Sequence, residues 1–417
     1  MQGLKLFIYL LAGGHSFTFH QAHPHPNSRA LSSSSSSLSS TGSFEDALSS
    51  LNKQFSSTKA QSTQDFTVPN NIGIGTLAWG DSTRGYGSSY NPGDLNAAYN
   101  TLLSNGITFI DTAEVYGYKG INKGESSEQL IGKFMEANFD GARPIIGTKY
   151  MPILWTNILV GGGFRFGSKS VFNALQKSCD RLEIAYCDLY QLHFPFPYVG
   201  GRGSLVKGLK MAIDRGLCNH VGVSNYSGKQ LLAMSKKFES ADLKIATNQV
   251  EFSLVNRKAM FDGTLEACKK LNIVPLAHTP LAGGLASGKY TAMNPTGGKM
   301  GKPKYEFTTL DKLLPLHNAL GQVASMVKSR LKDEYDVDRA AKVKEVGLEK
   351  LGKDRGLKTE ITTTQVSLNW IVGKGAVPLP GVKNNNDAME IVGCLGWRLN
   401  GEEMEVLDKA CDIVEGT

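Results

Sequence analysis

The sequence predicts an α/β fold, a closed (β/α)8 barrel with its chemistry at the C-terminal face of the strands. Three observations predict it. From about residue 70, short β-rich runs alternate with helical patterns, which implies a parallel sheet. There are eight such runs, and eight units suit a closed barrel better than an open doubly wound sheet, whose halves supply fewer strands. Most runs also stop at a polar or ionisable residue, as expected where barrel strands open onto a functional face.

The runs are "NIGIGTLAW" (71–79), "ITFIDTA" (107–113), "PIIGTKY" (144–150), "CDLYQLH" (187–193), "HVGVSN" (220–225), "ATNQVEF" (246–252), "IVPLAHTPL" (273–281) and "AVPLPG" (376–381). Between them lie "DLNAAYNTLLSNG", "SSEQLIGKFMEA", "KSVFNALQKSCDRL", "SLVKGLKMAIDRG", "SGKQLLAMSKKF" and "KAMFDGTLEACKKLN", and "TTTQVSLNWIVGKG" precedes the eighth strand. Many of these helices stop at Gly or Asn, the usual C-terminal signal. The segment 328–356 is dense in charges of both signs and is expected to be a solvated helical insertion after the seventh strand.

The N-terminus reads differently. "LKLFIYLLAGG" is a short apolar run after Lys5, like a signal-peptide core. At roughly 8 apolar residues it is too short to span a bilayer. "NSRALSSSSSSLSSTGS" follows, Ser-rich and without acid before Glu45, as in transit peptides. Residues 1–62 are therefore expected to be a targeting leader, with a plastid as destination and mitochondrion or secretory pathway as alternatives. Residues 63–417 are expected to be the barrel domain, within the size range of one-domain barrels.

The chain is 41% hydrophobic and 20% charged, an ordinary globular composition. Its net charge of +7 is mild and not gathered into a stripe, which does not imply nucleic acid. No membrane insertion of the mature chain is expected, and its oligomeric state is left open. The six cysteines, at 179, 187, 218, 268, 394 and 411, show neither CxxC nor metal-ligand spacing. They read as reduced, buried thiols.

Asp111 and Tyr116 end or follow the second strand, Lys149 the third and His193 the fourth. Lysine at the rim of an apolar barrel needs a counter-charge, which Asp111 can supply. A lysine near tyrosine favours phenolate and is expected to draw the tyrosine pKa below its usual ~10. Tyr116 could then protonate an oxygen becoming negative, with His193 orienting that oxygen. This suits carbonyl reduction, which needs a hydride source. A Rossmann site is not legible, because no G-x-G-x-x-G opens a helix. No tyrosine has a lysine four residues on, so the short-chain-dehydrogenase arrangement is also missing. A cofactor would then lie across the barrel top. Ser224, Asn225 and Gln249 suit a carboxamide. The Gly-rich "PLAGGLASGK" with Lys289 suits a pyrophosphate, and Lys383 suits an extra phosphate.

Taken together, "GITFIDTAEVYG", "GTKY", "DLYQLH", "GVSNYS", "NQVEFSLVNR", "PLAGGLASGKY" and "LPGVKNNNDAME" closely resemble the aldo-keto reductases, over about 70–417. In look they are nearest the plant and algal plastid members. The resemblance implies NADP(H) and hydride transfer to an aldehyde or ketone. It implies Tyr116 as proton donor, with Asp111, Lys149 and His193 completing a catalytic tetrad. It also implies cofactor contacts from Gly75, Thr76, Asp111, Ser224, Asn225, Gln249, His278, Thr279, Pro280, Leu281, Ala282, Gly284, Lys289, Gly381, Lys383, Asp387 and Glu390. Three positions depart from the family pattern. His278 stands where an aromatic, mostly tyrosine, stacks on nicotinamide. Leu77 replaces a common Trp, with Trp79 two residues on. Asp387 and Ile391 replace the usual Gln and Asn, and an aspartate is unfavourable beside a 2′-phosphate.

Two other readings share these residues. Potassium-channel β subunits have the same fold and tetrad, so a nucleotide-sensing regulatory role with low turnover is the alternative. A Schiff-base aldolase on Lys149 needs a neutral lysine, which Asp111 disfavours. Aromatic residues in 150–167 and 194–203 (Trp155, Phe164, Phe166, Phe194, Phe196) favour an apolar or aromatic aldehyde. Glu114 reads as a solvated loop carboxylate.

Overall fold

The computed structural model describes residues 65–138, 143–160, 164–297, 304–346 and 360–416. The expected leader, 1–62, and residues 347–356 of the charged insertion lie outside the described residues. The eight strands are β1 (Gly73–Gly75), β2 (Phe109–Asp111), β3 (Ile145–Tyr150), β4 (Cys187–Leu192), β5 (Cys218–Ser224), β6 (Ile245–Glu251), β7 (Val274–His278) and β8 (Val377–Pro378). All pair in parallel and in chain order. Gly75 closes the ring, bridging Gly381 and donating its N–H to Pro380 O at 2.9 Å.

The main helices are α1 (Pro92–Ser104), α2 (Ser127–Ala137), α3 (Gly167–Leu182), α4 (Gly201–Asp214), α5 (Gly228–Glu239), α6 (Thr264–Lys270), α7 (Leu314–Val346), α8 (Thr363–Gly373), α9 (Asn385–Val392) and α10 (Gly401–Glu415). Capping boxes start several of them, at Asn91, Ser126, Ser227, Thr362 and Asn400. Each satisfies N–H groups that a helix start leaves without partners. The run "KAMFDGTLEACKKLN" is not one helix. It breaks into Lys258–Phe261 and α6 at Gly263, whose φ of 79° is left-handed. The charged segment continues α7 as far as Val346. Arg330 pairs there with Glu403 of α10 at 2.9 Å. Among the described residues no helix is long and apolar enough to cross a membrane, and all six cysteines are free and buried.

The strands' period of two decides what fills the barrel. Phe109, Leu189 and Leu276 point inward and pack with Phe66, Val68, Val377 and Leu379 as an apolar plug. Phe66 meets the Phe109 ring edge-on at 5.7 Å. Ile110, Tyr190 and Val221 point outward into the layer beneath the helices. A second outer cluster joins Leu316, Leu320 and Val323 of α7 to Trp370 of α8 and Leu407 of α10. Two residues above the plug, the same parity turns Asp111 and Gln191 inward. Space for this polar layer comes from Gly222, the neighbour of Gln191 across β4 and β5. A Cβ there would lie 2.2 Å from Thr247 Oγ1 and 3.2 Å from Gln191 Cγ.

Trp79 does not reach the barrel mouth. It is fully buried, donates Nε1–H to Val382 O at 2.8 Å and packs edge-on against Phe134. The chain leaves the strand pattern after Gly75, so period-two spacing does not carry Trp79 to the site. Gly222→Ala is expected to destabilise the fold by about 1–3 kcal/mol, the usual cost of overpacking. Urea unfolding followed by circular dichroism measures it, and an unchanged midpoint would refute the close-approach argument.

Candidate active site

The structure brings Asp111, Tyr116, Lys149 and His193 together at the C-terminal ends of β2, β3 and β4. Lys149 has no exposure and Asp111 3%, so the ammonium must be satisfied by protein. Its Nζ donates to Asp111 Oδ2 at 2.5 Å, Thr112 O at 2.8 Å and Tyr116 Oη at 3.4 Å. The other carboxylate oxygen of Asp111 accepts from Gln249 Nε2 at 2.8 Å and Gln191 Nε2 at 3.2 Å. Gln191 is a member the sequence reading missed. Its signal was present, since it lies two residues before His193 and so on the same face of β4.

Burial alone would lower the Lys149 pKa, but Asp111 and Tyr116 outweigh it and the net direction is upward. Lys149 is therefore held as a cation. Tyr116 corrects the expectation of a lowered pKa. Burial raises it, Lys149 pulls it back, Asp111 adds to the rise, and the net direction is upward from 10. Desolvation of the phenolate wins, so Tyr116 is held as a phenol. His193 meets the Tyr116 ring edge-on at 5.8 Å. Burial, then Lys149 and His278, push its pKa well below 6.5, so it is neutral. Its Nδ1 is buried and has no hydrogen-bond partner among the described residues.

Glu114 corrects a second expectation. It is not solvated but 2% exposed. Arg165 grips both its oxygens, Nη1 to Oε1 at 2.5 Å and Nη2 to Oε2 at 2.7 Å. The N–H of Met151 donates to Oε1 at 2.6 Å. No sequence signal marks Arg165, which sits in the aperiodic "GGGFRFG".

The candidate carboxamide residues are already knitted together. Ser224 Oγ donates to Gln249 O at 3.0 Å, and Asn225 Nδ2 donates to His193 O and Ser224 Oγ, both at 3.0 Å. Gln249 has committed its amide N–H to Asp111. His278, partly buried at the end of β7, bridges Asn225 Oδ1 at 3.1 Å and Thr279 Oγ1 at 3.0 Å. Asn225 Oδ1 only accepts, so His278 donates from Nε2 and accepts at Nδ1.

The turn after β7 is backbone-rich. Thr279, Ala282, Gly283, Gly284 and Gly288 all have left-handed φ, from 48° to 106°. For β-branched Thr279 this is an outlier of the kind concentrated at functional sites. Pro280 is buried, Leu281 packs on the core, and Lys289 is exposed. Lys304 and Tyr305, unforeseen from sequence, both donate to Gly283 O.

Of the remaining cofactor candidates, Gly75 pairs with Asp111 across β1 and β2. Thr76 Oγ1 donates to Asp111 O at 3.0 Å and accepts from Ser127 Oγ at 2.7 Å, and Gly75 and Gly381 close the barrel. Lys383 Nζ donates to Arg84 O at 2.8 Å and lies 5.1 Å from the centre of the Tyr90 ring. The Asp387 carboxylate accepts the Lys383 N–H at 2.9 Å, and Glu390 accepts from Thr362, the cap of α8. Ile391 is buried in the core. Among the described residues no group of three His, Cys, Asp or Glu side chains could hold a metal ion.

Burial, then Lys149, lower the His278 pKa from 6.5 to about 4. The unfolded chain takes this proton first on acidification, so the associated stability is full above about pH 6.5 and is lost as pH falls towards 4. The melting temperature is expected to fall through this window, and to fall less in His278→Phe. Parallel slopes for the two proteins in melts at pH 7 and 4.5 would refute it.

Comparison with known proteins bears on the family and the fold. The Aldo/keto reductase family model matches residues 71–412. The chloroplastic pyridoxal reductase of Arabidopsis thaliana is 29% identical over 347 residues, covering 81% of this chain and 82% of that protein. A glycerol dehydrogenase from Gluconobacter oxydans superposes with a TM-score of 0.58 at 20% identity, over 84% of this chain and 96% of its own. An aldo-keto reductase from Klebsiella pneumoniae, solved in complex with NADPH, gives 0.54 at 20% identity, over 81% and 90%. With eight parallel strands closed as a barrel, four polar groups gathered at its C-terminal mouth and a family model spanning nearly all of it, this chain belongs to the aldo/keto reductase family.

Proposed function

We propose that the chain reduces aldehydes or ketones with NADP(H), Tyr116 being the proton donor. The observation that carries this reading is the buried line Asp111–Lys149–Tyr116, with Nζ 2.5 Å from the carboxylate and 3.4 Å from the phenol. Family membership supports the reaction class, and the NADPH-bound Klebsiella relative supports the cofactor.

The residues at the barrel mouth fit such a cofactor. Gln249 keeps its carbonyl oxygen, and Ser224 and Asn225 keep acceptor capacity, for a carboxamide. Successive left-handed residues at Gly283 and Gly284 form the sort of backbone concavity that cradles a pyrophosphate, with Lys289 nearby in sequence. Gly75, Thr76, Gly381, Lys383, Asp387 and Glu390 would flank the rest. When bound, the dihydronicotinamide would supply a hydride to the carbonyl carbon.

The chain's own residues handle the oxygen. Tyr116, held as a phenol, gives its proton to the carbonyl oxygen as negative charge develops there. Lys149, held as a cation by Asp111, stabilises the phenolate left behind. Neutral His193 donates its ring N–H to the same oxygen and fixes its direction. A charged Lys149 does not suit Schiff-base chemistry.

The wall beside His193 is aromatic. Phe194 stacks on the imidazole at 4.8 Å and Phe196 on Phe194 at 5.0 Å. Trp155 is 52% exposed in the loop after β3. These features favour a flat aromatic aldehyde, and the Arabidopsis relative is a pyridoxal reductase. The transit-like leader and that relative's chloroplastic description favour delivery to a plastid.

Tyr116→Phe is expected to lower kcat for NADPH oxidation with an aromatic aldehyde by at least ~100-fold. Full activity in that variant would overturn the role of Tyr116, and NADPH binding without turnover in wild type would favour a regulatory role. Asp387→Asn is expected to tighten NADPH relative to NADH by about fivefold, the size of ~1 kcal/mol of relieved repulsion. Fluorescence titration with both cofactors measures it, and an unchanged ratio would place the 2′-phosphate away from Asp387.

A further inference from the structure

Glu114 lies between Asp111 and Tyr116 and has no place in the proton transfer, yet it is the most tightly held carboxylate of that loop. We propose that Glu114 and Arg165 are a positioning pair that locks the loop after β2 onto the end of β3 and so sets the separation of Tyr116 from Lys149. The proposal rests on the reductase reading above.

The β2–β3 ladder ends where Asp111 pairs with Gly147, followed by Thr112 N–H donating to Gly147 O at 2.8 Å. Beyond this, β3 continues to Tyr150 while the β2 chain turns away, with Tyr116 N–H donating to Ala113 O. Glu114 restores the missing connection. Its Oε1 takes the N–H of Met151, two residues after Lys149, and Glu114 itself lies two residues before Tyr116. The carboxylate thus joins the two backbone segments that carry the phenol and the ammonium.

Arg165 fixes the carboxylate in turn. A forked, two-point contact leaves it no freedom to rotate. The guanidinium is 1% exposed, lies 4.8 Å from the centre of the Tyr150 ring, and also donates to Met151 O at 3.3 Å. The Arg165 N–H donates to Leu154 O at 2.9 Å. Both ends of the loop after β3 are thereby tied to one carboxylate. Because Arg165 neutralises Glu114 at contact distance, the pair can position Tyr116 without adding a net charge beside it.

The test uses the full chain with NADPH and benzaldehyde. Glu114→Gln should lower kcat about tenfold or more, since small misplacements of reacting groups are costly. NADPH affinity by fluorescence titration should stay within about twofold. The alkaline limb of kcat should move to higher pH, because a phenol farther from the ammonium keeps its proton longer. Glu114→Gln/Arg165→Met removes both buried charges. Its melting temperature should recover relative to either single variant, while kcat and the alkaline limb do not. Recovery of wild-type kcat and limb along with the melting temperature would show a merely structural staple and overturn the proposal, as would a Glu114→Gln enzyme with both unchanged. A crystal structure of Glu114→Gln reads the geometry without turnover. A Tyr116–Lys149 separation still near 3.4 Å overturns the proposal, and a wider one sustains it. Wild type inactive on every aldehyde would sink the reductase reading instead, leaving that structural result to decide the pair.

Discussion

A lysine ammonium sealed from solvent can sit in the middle of a barrel only if a carboxylate meets it there. The Asp111–Lys149 contact is that condition, and the mouth of this barrel is arranged around it. Removing one member of such a pair costs about 3–5 kcal/mol, because the other is left buried and uncompensated. Asp111 is in turn fixed by Gln249 and Gln191, so the carboxylate accepts on both oxygens and cannot swing away. The third partner of the ammonium, Thr112 O, ties the pair to the backbone that leads to Tyr116.

This polar layer rests on an apolar one. Phe109 and Asp111 are two residues apart on β2, as Leu189 and Gln191 are on β4, so one parity supplies both the plug and the charged layer above it. The plug keeps water from reaching Lys149 from below. The low-dielectric surroundings strengthen the ion pair and also raise the Tyr116 pKa. Burial therefore has two consequences: it holds the tyrosine as a phenol, and it would leave a phenolate dependent on Lys149.

Three strained residues lie at the same end of the barrel. Asn225, Thr279 and Ala282 are left-handed without being glycine, and they follow β5 and β7. Each strained residue needs surrounding bonds to persist. Asn225 is held by its N–H to Gln249 O at 2.7 Å and by His278, and Thr279 by its hydroxyl to His278. The histidine at an aromatic position is thus a hydrogen-bonding tie between two strand ends as much as a ring.

The sequence by itself determined the barrel, because period-two strands between capped helices leave few other ways to bury both faces of a parallel sheet. It also marked Asp111, Lys149 and His193 for one face, since each ends a run and strand ends share one face. It marked His278 and Asp387 as departures. Only the tertiary structure decided the rest, for reasons of distance. Glu114 looks solvated until Arg165, 51 residues away, is seen to close on it. Gln249 looks free for a ligand until its amide is found on Asp111, 138 residues earlier. The direction of the Tyr116 pKa depends on how completely the phenol is desolvated against how near one ammonium lies. That balance is a property of packing, and no spacing in a sequence records it.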